Sequence, residues 1–219
     1  MPRRLTEKTF QVSLFPSTIV NAGWYCQMRS EKLREPHPLV LTIGHSTHPL
    51  DEFIGLLKKN EVIHVLDVRT VPHSRRNPQF DKSVLPESLG VAAINYTHLP
   101  GLGGLRHARR DSINNAWRNA SFRGFADYMQ TPEFEAGLGH VLVLAVSERC
   151  VLMCAEAVPW RCHRSLIADA LLARGVGVEH VINSGERKLH VMTPSAQTDG
   201  LKIFYPSQAD AGDSGNKIT

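Results

Sequence analysis

A chain of 219 residues accommodates one domain, or one domain with an appendage, and can bury a substantial core. Hydrophobic residues at 42% and charged residues at 21% exclude a fully disordered, collagen-like or coiled-coil protein. The longest strictly apolar run, Val141 to Val146, is far too short to cross a bilayer. Four cysteines, Cys26, Cys150, Cys154 and Cys162, are too few and too uneven for a secreted disulfide framework, so a cytoplasmic setting is expected.

The net charge of +4 is unevenly distributed. Residues 1–38 carry six Lys/Arg against three acids, a surplus of three. Residues 69–123 carry nine basic residues against Asp81, Glu87 and Asp111, nine minus three or +6. Such a segment points to an anionic partner, either a small phosphate or a nucleic acid, against the plainer reading of a solvated arginine-rich loop.

In chain order, residues 1–38 show no sustained period and read as a disordered N-terminal extension. Polar residues and Pro16 interrupt the stretch that a signal peptide would need, and Met28 offers an alternative start. From Leu39 the pattern alternates strands and helices. Leu39–Ile43 predicts a buried strand, and Ser46 or Thr47 a helix cap, with Pro49 in the first turn and Phe53, Leu56 and Leu57 on the buried stripe. Val62–Val68 predicts a second strand, paired in parallel with the first. A weak helix at 82–89 and a third strand at 91–99 follow, then helices at 121–129 and from Thr131-Pro132-Glu133 to about Val146.

Cys150–Cys154 reads as a buried strand, Trp160–Arg174 as a helix ended by Gly175, and 178–182 and 189–192 as further strands. Residues 194–219 read as a tail that frays after Tyr205. The expected fold is therefore α/β, a single domain over 39–193 with a mostly parallel sheet flanked by helices.

In such sheets ligands sit beyond the carboxyl ends of the strands, which directs attention to four loops. The densest runs from Cys154 to Arg164. A thiol near a helix start is poised for nucleophilic chemistry, so Cys154 or Cys162 is a candidate nucleophile, with Glu156 and His163 handling protons. The plainer reading makes these packing residues. No metal is the primary expectation; Cys154, Cys162 and His163 are the ligands if one binds, although adjacent helical residues point about 100° apart.

His45 and Asp67 complete the candidate catalytic set, Asp67 being a strand carboxylate that needs a partner. Arg69, Ser74, Arg75 and Arg164 are the candidate anion contacts. Gly101, Gly103 and Gly104 lack the lysine of a P-loop and read as turn residues. No cofactor is assigned.

Several of these stretches occur together: Leu41-Thr42-Ile43-Gly44-His45-Ser46; Asp67-Val68-Arg69 with Pro72, Ser74, Arg75 and Phe80; Leu99 with Gly103-Gly104; Phe122-Arg123-Gly124-Phe125-Ala126; and Cys154-Ala155-Glu156 with Cys162-His163-Arg164. Over about residues 39–192 they resemble the family named domain of unknown function 488, which implies no settled activity. A weaker resemblance is to rhodanese-like domains, through Asp67-Val68-Arg69 and a strand-end cysteine. The cysteine loop here lacks glycine and contains Pro159, which removes one backbone donor from an anion cradle.

The leading functional expectation is a small enzyme acting on an anionic, nucleotide- or nucleic-acid-related substrate at a Cys/Glu/His site. The alternatives are a noncatalytic nucleic-acid-binding or regulatory module, with Trp117, Phe122 and Phe125 at its interface, and a rhodanese-like sulfurtransferase.

Overall fold

The structure is a computed structural model that describes residues 38–182 and 186–207. The expected N-terminal extension, apart from Pro38, lies outside the described residues. Six strands form one sheet: β1 (Leu39–Gly44), β2 (His64–Asp67), β3 (Asn95–His98), β4 (Cys150–Cys154), β5 (Gly177–Val181) and β6 (Arg187–Leu189). Their order across the sheet is β3-β2-β4-β1-β5-β6, with β6 antiparallel and the others parallel.

The expected parallel pair of β1 with β2 is not formed. β4 inserts between them, with Leu41 opposite Val151 on one side and His64 opposite Cys150 on the other. β4 is the most apolar strand, buried along its whole length, and the central position removes both its faces and both its edges from water.

Five helices cover the two faces: α1 (Leu50–Lys59), α2 (Leu85–Val91), α3 (Ala120–Tyr128), α4 (Pro132–Ser147) and α5 (Arg164–Leu172). Alternation along the strands separates two cores. Leu41, Ile43, Val65, Val151 and Met153 face Phe53, Leu56, Leu57, Leu85 and Leu89 of α1 and α2. Val40, Leu66, Leu152 and Cys154 share the other core with Phe125, Phe134, Leu138, Leu166 and Leu171 of α3, α4 and α5. None of these helices is long and apolar enough to cross a membrane.

Local signals explain several boundaries. Thr131 caps α4, its Oγ1 accepting from Phe134 N at 3.3 Å, with Pro132 in the first turn. Gly175 ends the α5 region at φ +74°. α1 departs from expectation: Pro49 is its N-cap residue, without a side-chain cap, and Ser46 has φ +48° in the preceding turn. The predicted 160–174 helix also divides, into a 3-10 turn at Pro159–Arg161 and α5 from Arg164.

The segment from residue 194, read as tail, carries the hairpin β7 (Gln197–Asp199) and β8 (Lys202–Phe204). It places Ile203 and fully buried Tyr205 in the core. Tyr205 Oη donates to Asp169 Oδ2 at 2.8 Å, and its N–H donates to Asn114 Oδ1.

Candidate functional site at the strand carboxyl ends

Because β1 to β4 run parallel, their carboxyl ends open on one edge. Pairing continues past the strands: His45 N donates to Cys154 O at 2.9 Å, Ser46 N to Ala155 O at 3.0 Å and Val68 N to Met153 O at 3.0 Å. The loops after β1, β2 and β4, with residues 104–105 and 121–122, enclose a cleft of about 680 Å³. His45, Arg69, Ser74, Cys154, Glu156, Cys162 and His163 all line it. So do His73, Arg76 and Arg161, which sequence reasoning did not place in the site although all three lie in the loops it singled out. Among the described residues, Glu156 is the one acid in the lining.

Close backbone approach shapes the cleft. A Cβ on Gly44 would stand 2.0 Å from the carbonyl oxygen of Glu156, so the absence of a side chain lets the β4 loop lie across the end of β1. A Cβ on Gly104 would stand 2.5 Å from His163 Nδ1. Gly104 is therefore a packing site, while Gly101 and Gly103 belong to a turn as expected, the 3-10 turn Pro100–Leu102, which Gly103 N closes by donating to Pro100 O at 3.0 Å.

Asp67 sits behind the cleft, fully buried, and orients its neighbours. Its Oδ1 accepts from Arg69 N and Nε at 3.0 and 2.9 Å; its Oδ2 accepts from Arg69 Nη2 at 2.6 Å and from Tyr96 Oη at 2.7 Å. Burial, and then the bond to Asp67, push the Tyr96 hydroxyl well above its ordinary range. Arg69 Nη1 reaches His45 Nε2 at 3.2 Å, and Nη2 also donates to Phe80 O. His45 Nδ1 faces the Ser46 carbonyl at 2.9 Å, so Nδ1 carries the proton and Nε2 accepts from Arg69. Burial first, opposed by the Ser46 carbonyl and assisted by the charge of Arg69, lowers the His45 pKa to about 4. The ring stacks on Phe80 at 4.2 Å as a neutral imidazole.

The thiols occupy the opposite wall. Cys162 follows the 3-10 turn with φ −131° and ψ 143°, extended and not helical. Cys162 Sγ lies 3.6 Å from His163 Nδ1, while His163 Nε2 donates to Val68 O at 3.1 Å. Phe125 packs edge-on against the imidazole at 5.0 Å.

Arg164 does not line the cleft. It is buried, donates from Nε to Cys162 Sγ at 3.2 Å, and braces the Glu156 carbonyl through Nη2. The hydrogen bond between the two thiols is the largest influence on both, holding Cys162 well below and Cys154 well above the ordinary thiol range. Burial opposes the shift at Cys162 and adds to it at Cys154, and the charge of Arg164 lowers Cys162 further.

The other candidates are dispersed. Ser74 reaches the lining, its Oγ accepting from Asn77 N, but Arg75 is exposed outside it. The basic segment is not one free patch: Arg69 is buried, Arg106 lies 3.6 Å from the Tyr128 ring centroid, and Arg109 pairs with Asp111 at 2.8 Å. The aromatic residues expected at a nucleic-acid interface are largely internal. Phe125 is fully buried, and Trp117 packs between Phe122 and Tyr205.

Fold and site together define an α/β protein with a six-stranded, mostly parallel sheet and a cationic, thiol-bearing cleft at the strand ends. The chain belongs to the family described as Domain of unknown function DUF488, whose model matches residues 49–171. That match is shorter than the 39–192 span read from the motifs; it takes in Asp67, Arg69, both cleft cysteines and His163, but begins after His45. It lends nothing to the rhodanese-like resemblance. No curated protein and no solved structure matches the chain.

Proposed function

We propose that the protein is an enzyme that acts on an anionic, nucleotide-related substrate in the strand-end cleft, with Cys162, His163 and Glu156 as its chemical centre. The carrying observation is the composition of the cleft. Arg69, His73, Arg76 and Arg161 line it against Glu156 alone, and sulfur, imidazole and carboxylate face the same space. A cleft of about 680 Å³ suits a nucleotide-sized ligand.

Arg76 and Arg161, both exposed on the lining, draw the anion in; Arg69, clamped by Asp67, offers a fixed cationic wall. Neutral His45 orients Arg69 and transfers no proton. Glu156 has the position of a base, and Cys162 is the thiol that accepts from Arg164 and stands 3.6 Å from His163 Nδ1. Persulfide chemistry at Cys154 has less support, since the loop after it lacks glycine and Pro159 removes one backbone donor from an anion cradle.

Calorimetric titration of the full chain with inorganic pyrophosphate and a nucleoside diphosphate tests the reading. Saturable one-to-one binding is expected, weakened roughly tenfold by Arg76→Gln or Arg161→Gln and reduced by salt. Absence of binding at low salt defeats the anionic substrate. Tighter binding of long single strands than of nucleotides, with nothing consumed, replaces the enzyme with the noncatalytic module.

A further inference from the structure

We infer that Cys154, Cys162 and His163 together bind one thiophilic divalent cation, zinc by the chemistry of the donors, with its remaining coordination position open to the cleft. The inference rests on the reading of this cleft as the place of chemistry and deepens it: the two sulfurs are metal ligands, and the metal is the Lewis acid presented to an anionic substrate.

The three donors come from two places, the last residue of β4 and the junction that precedes α5. Their ligand atoms all lie within 4.8 Å of one another. A tetrahedral zinc with a sulfur at about 2.3 Å and a nitrogen at about 2.0 Å separates those two atoms by about 3.5 Å. Cys162 Sγ and His163 Nδ1 stand 3.6 Å apart. A thiol–imidazole hydrogen bond has that length too, so the third donor decides: Cys154 Sγ lies within 4.8 Å of both. Cys162 and His163 are adjacent in the chain, yet their ligand atoms stand within reach of one another in the fold.

The surroundings are those of a ligand set. His163 gives Nε2–H to the Val68 carbonyl, which leaves the Nδ1 lone pair directed at the sulfurs, the outer bond that metal-bound imidazoles make. Gly104 and Phe125 hold the ring in place from two sides. Arg164 donates an N–H to Cys162 Sγ, offsetting the charge that two thiolates bring to one cation. Because all three residues line the cleft, a fourth position is available to water or a substrate oxygen, as in zinc sites with three protein ligands that do chemistry.

A second cluster, His64, Glu148 and Cys150, makes the contrast. Both nitrogens of His64 are already engaged, Nδ1 with Glu148 at 2.6 Å and Nε2 with Thr97 at 2.8 Å, and the cluster lies at the amino edge of the sheet, outside the lining of the strand-end cleft.

The experiment uses the full chain, stripped with a chelator and titrated with Zn²⁺ against a chromophoric competitor, then with Co²⁺. One metal per chain is expected. Cobalt should give a thiolate-to-metal charge-transfer band and the ligand-field intensity of a tetrahedral site. Cys154→Ser, Cys162→Ser and His163→Ala should each lose more affinity than the roughly 10–100-fold that removal of an outer-shell partner produces. Cys150→Ala should leave affinity unchanged.

In the unmutated chain, zinc should protect Cys154 and Cys162 from alkylation, a readout that survives misfolding of any variant. No charge-transfer band and no protection overturn the inference, as does full affinity in both Cys162→Ser and His163→Ala. Pyrophosphate binding without metal overturns this inference alone, whereas metal binding without any anion overturns only the anionic-substrate reading.

Discussion

Arg69 donates to the Nε2 of His45 at 3.2 Å, and this contact fixes the character of one whole wall of the cleft. With Nδ1 given to the Ser46 carbonyl, the ring has no free position for a proton, so an exchangeable histidine becomes a fixed acceptor. The arginine is held in turn by Asp67, and Asp67 by Tyr96.

Asp67→Asn should loosen this wall from behind. The carboxylate is fully buried and receives Arg69 through both oxygens, so its removal leaves a buried guanidinium short of its counter-charge. Destabilisation of about 3 kcal/mol is expected in urea unfolding, with pyrophosphate binding weakened in the folded fraction. Tyr96→Phe removes one neutral donor to a charged acceptor and should cost about 1.5–3 kcal/mol. Equal stability of Asp67→Asn and the unmutated chain would refute the clamp.

Gly104→Ala tests the close approach to His163. The added methyl would overlap the imidazole, which Val68 and Phe125 keep from retreating. A cost of about 1–3 kcal/mol is expected, the range for overpacking, with displaced His163 ring resonances in NMR spectra. The same substitution at Gly90, which has open space around its Cβ position, should leave those resonances unmoved.

Stability should fall with acid through His180. Burial lowers its pKa from 6.5 to about 4, followed by the charge of His190, then Arg164, against Asp169 and Cys162. Its Nε2 faces His190, which in turn faces Asp169, and its Nδ1 faces Thr42 Oγ1. Between about pH 4 and 6.5 the unfolded chain takes up a proton at this residue that the folded chain refuses. Its contribution is complete above pH 6.5 and declines as pH drops toward 4, by at most about 1.4 kcal/mol per unit. Urea unfolding from pH 4 to 7 should show a shallower slope in His180→Gln, and identical slopes would count against it.

Tyr205 should prove part of the fold although it lies in a polar, glycine-containing segment. Tyr205→Phe leaves Asp169 Oδ2 without its donor and should cost about 1–3 kcal/mol. Tyr205→Ala opens a cavity beside Trp117 and should cost about 3–5 kcal/mol. Thermal melts unaffected by Tyr205→Ala would mean that residues 197–205 do not dock as described.

Local pattern was enough for the α/β alternation. Cys150–Cys154 has the same limits as read from its apolar run, and Thr131-Pro132 starts α4 where cap chemistry places it. The meeting of His45, Arg69, Cys154 and His163 on one edge was also legible, because parallel strands in one sheet share a carboxyl edge whatever their order.

That order required the tertiary structure. Whether β4 pairs outside β2 or between β1 and β2 depends on which neighbours bury its two faces, a property of segments some 100 residues apart, so alternation along the chain carries no signal for it. The same applies to charge. Arg69, Arg106 and Arg164 read alike as cations, yet one is clamped by a carboxylate, one lies on a ring and one braces a thiol. Cys162 Sγ and His163 Nδ1 meet in the fold although their adjacency in the chain does not announce it, and Gly104 matters for the imidazole that approaches it from another segment. Sequence specifies the donors and acceptors; burial and partners, which decide their chemistry, exist only once distant segments pack.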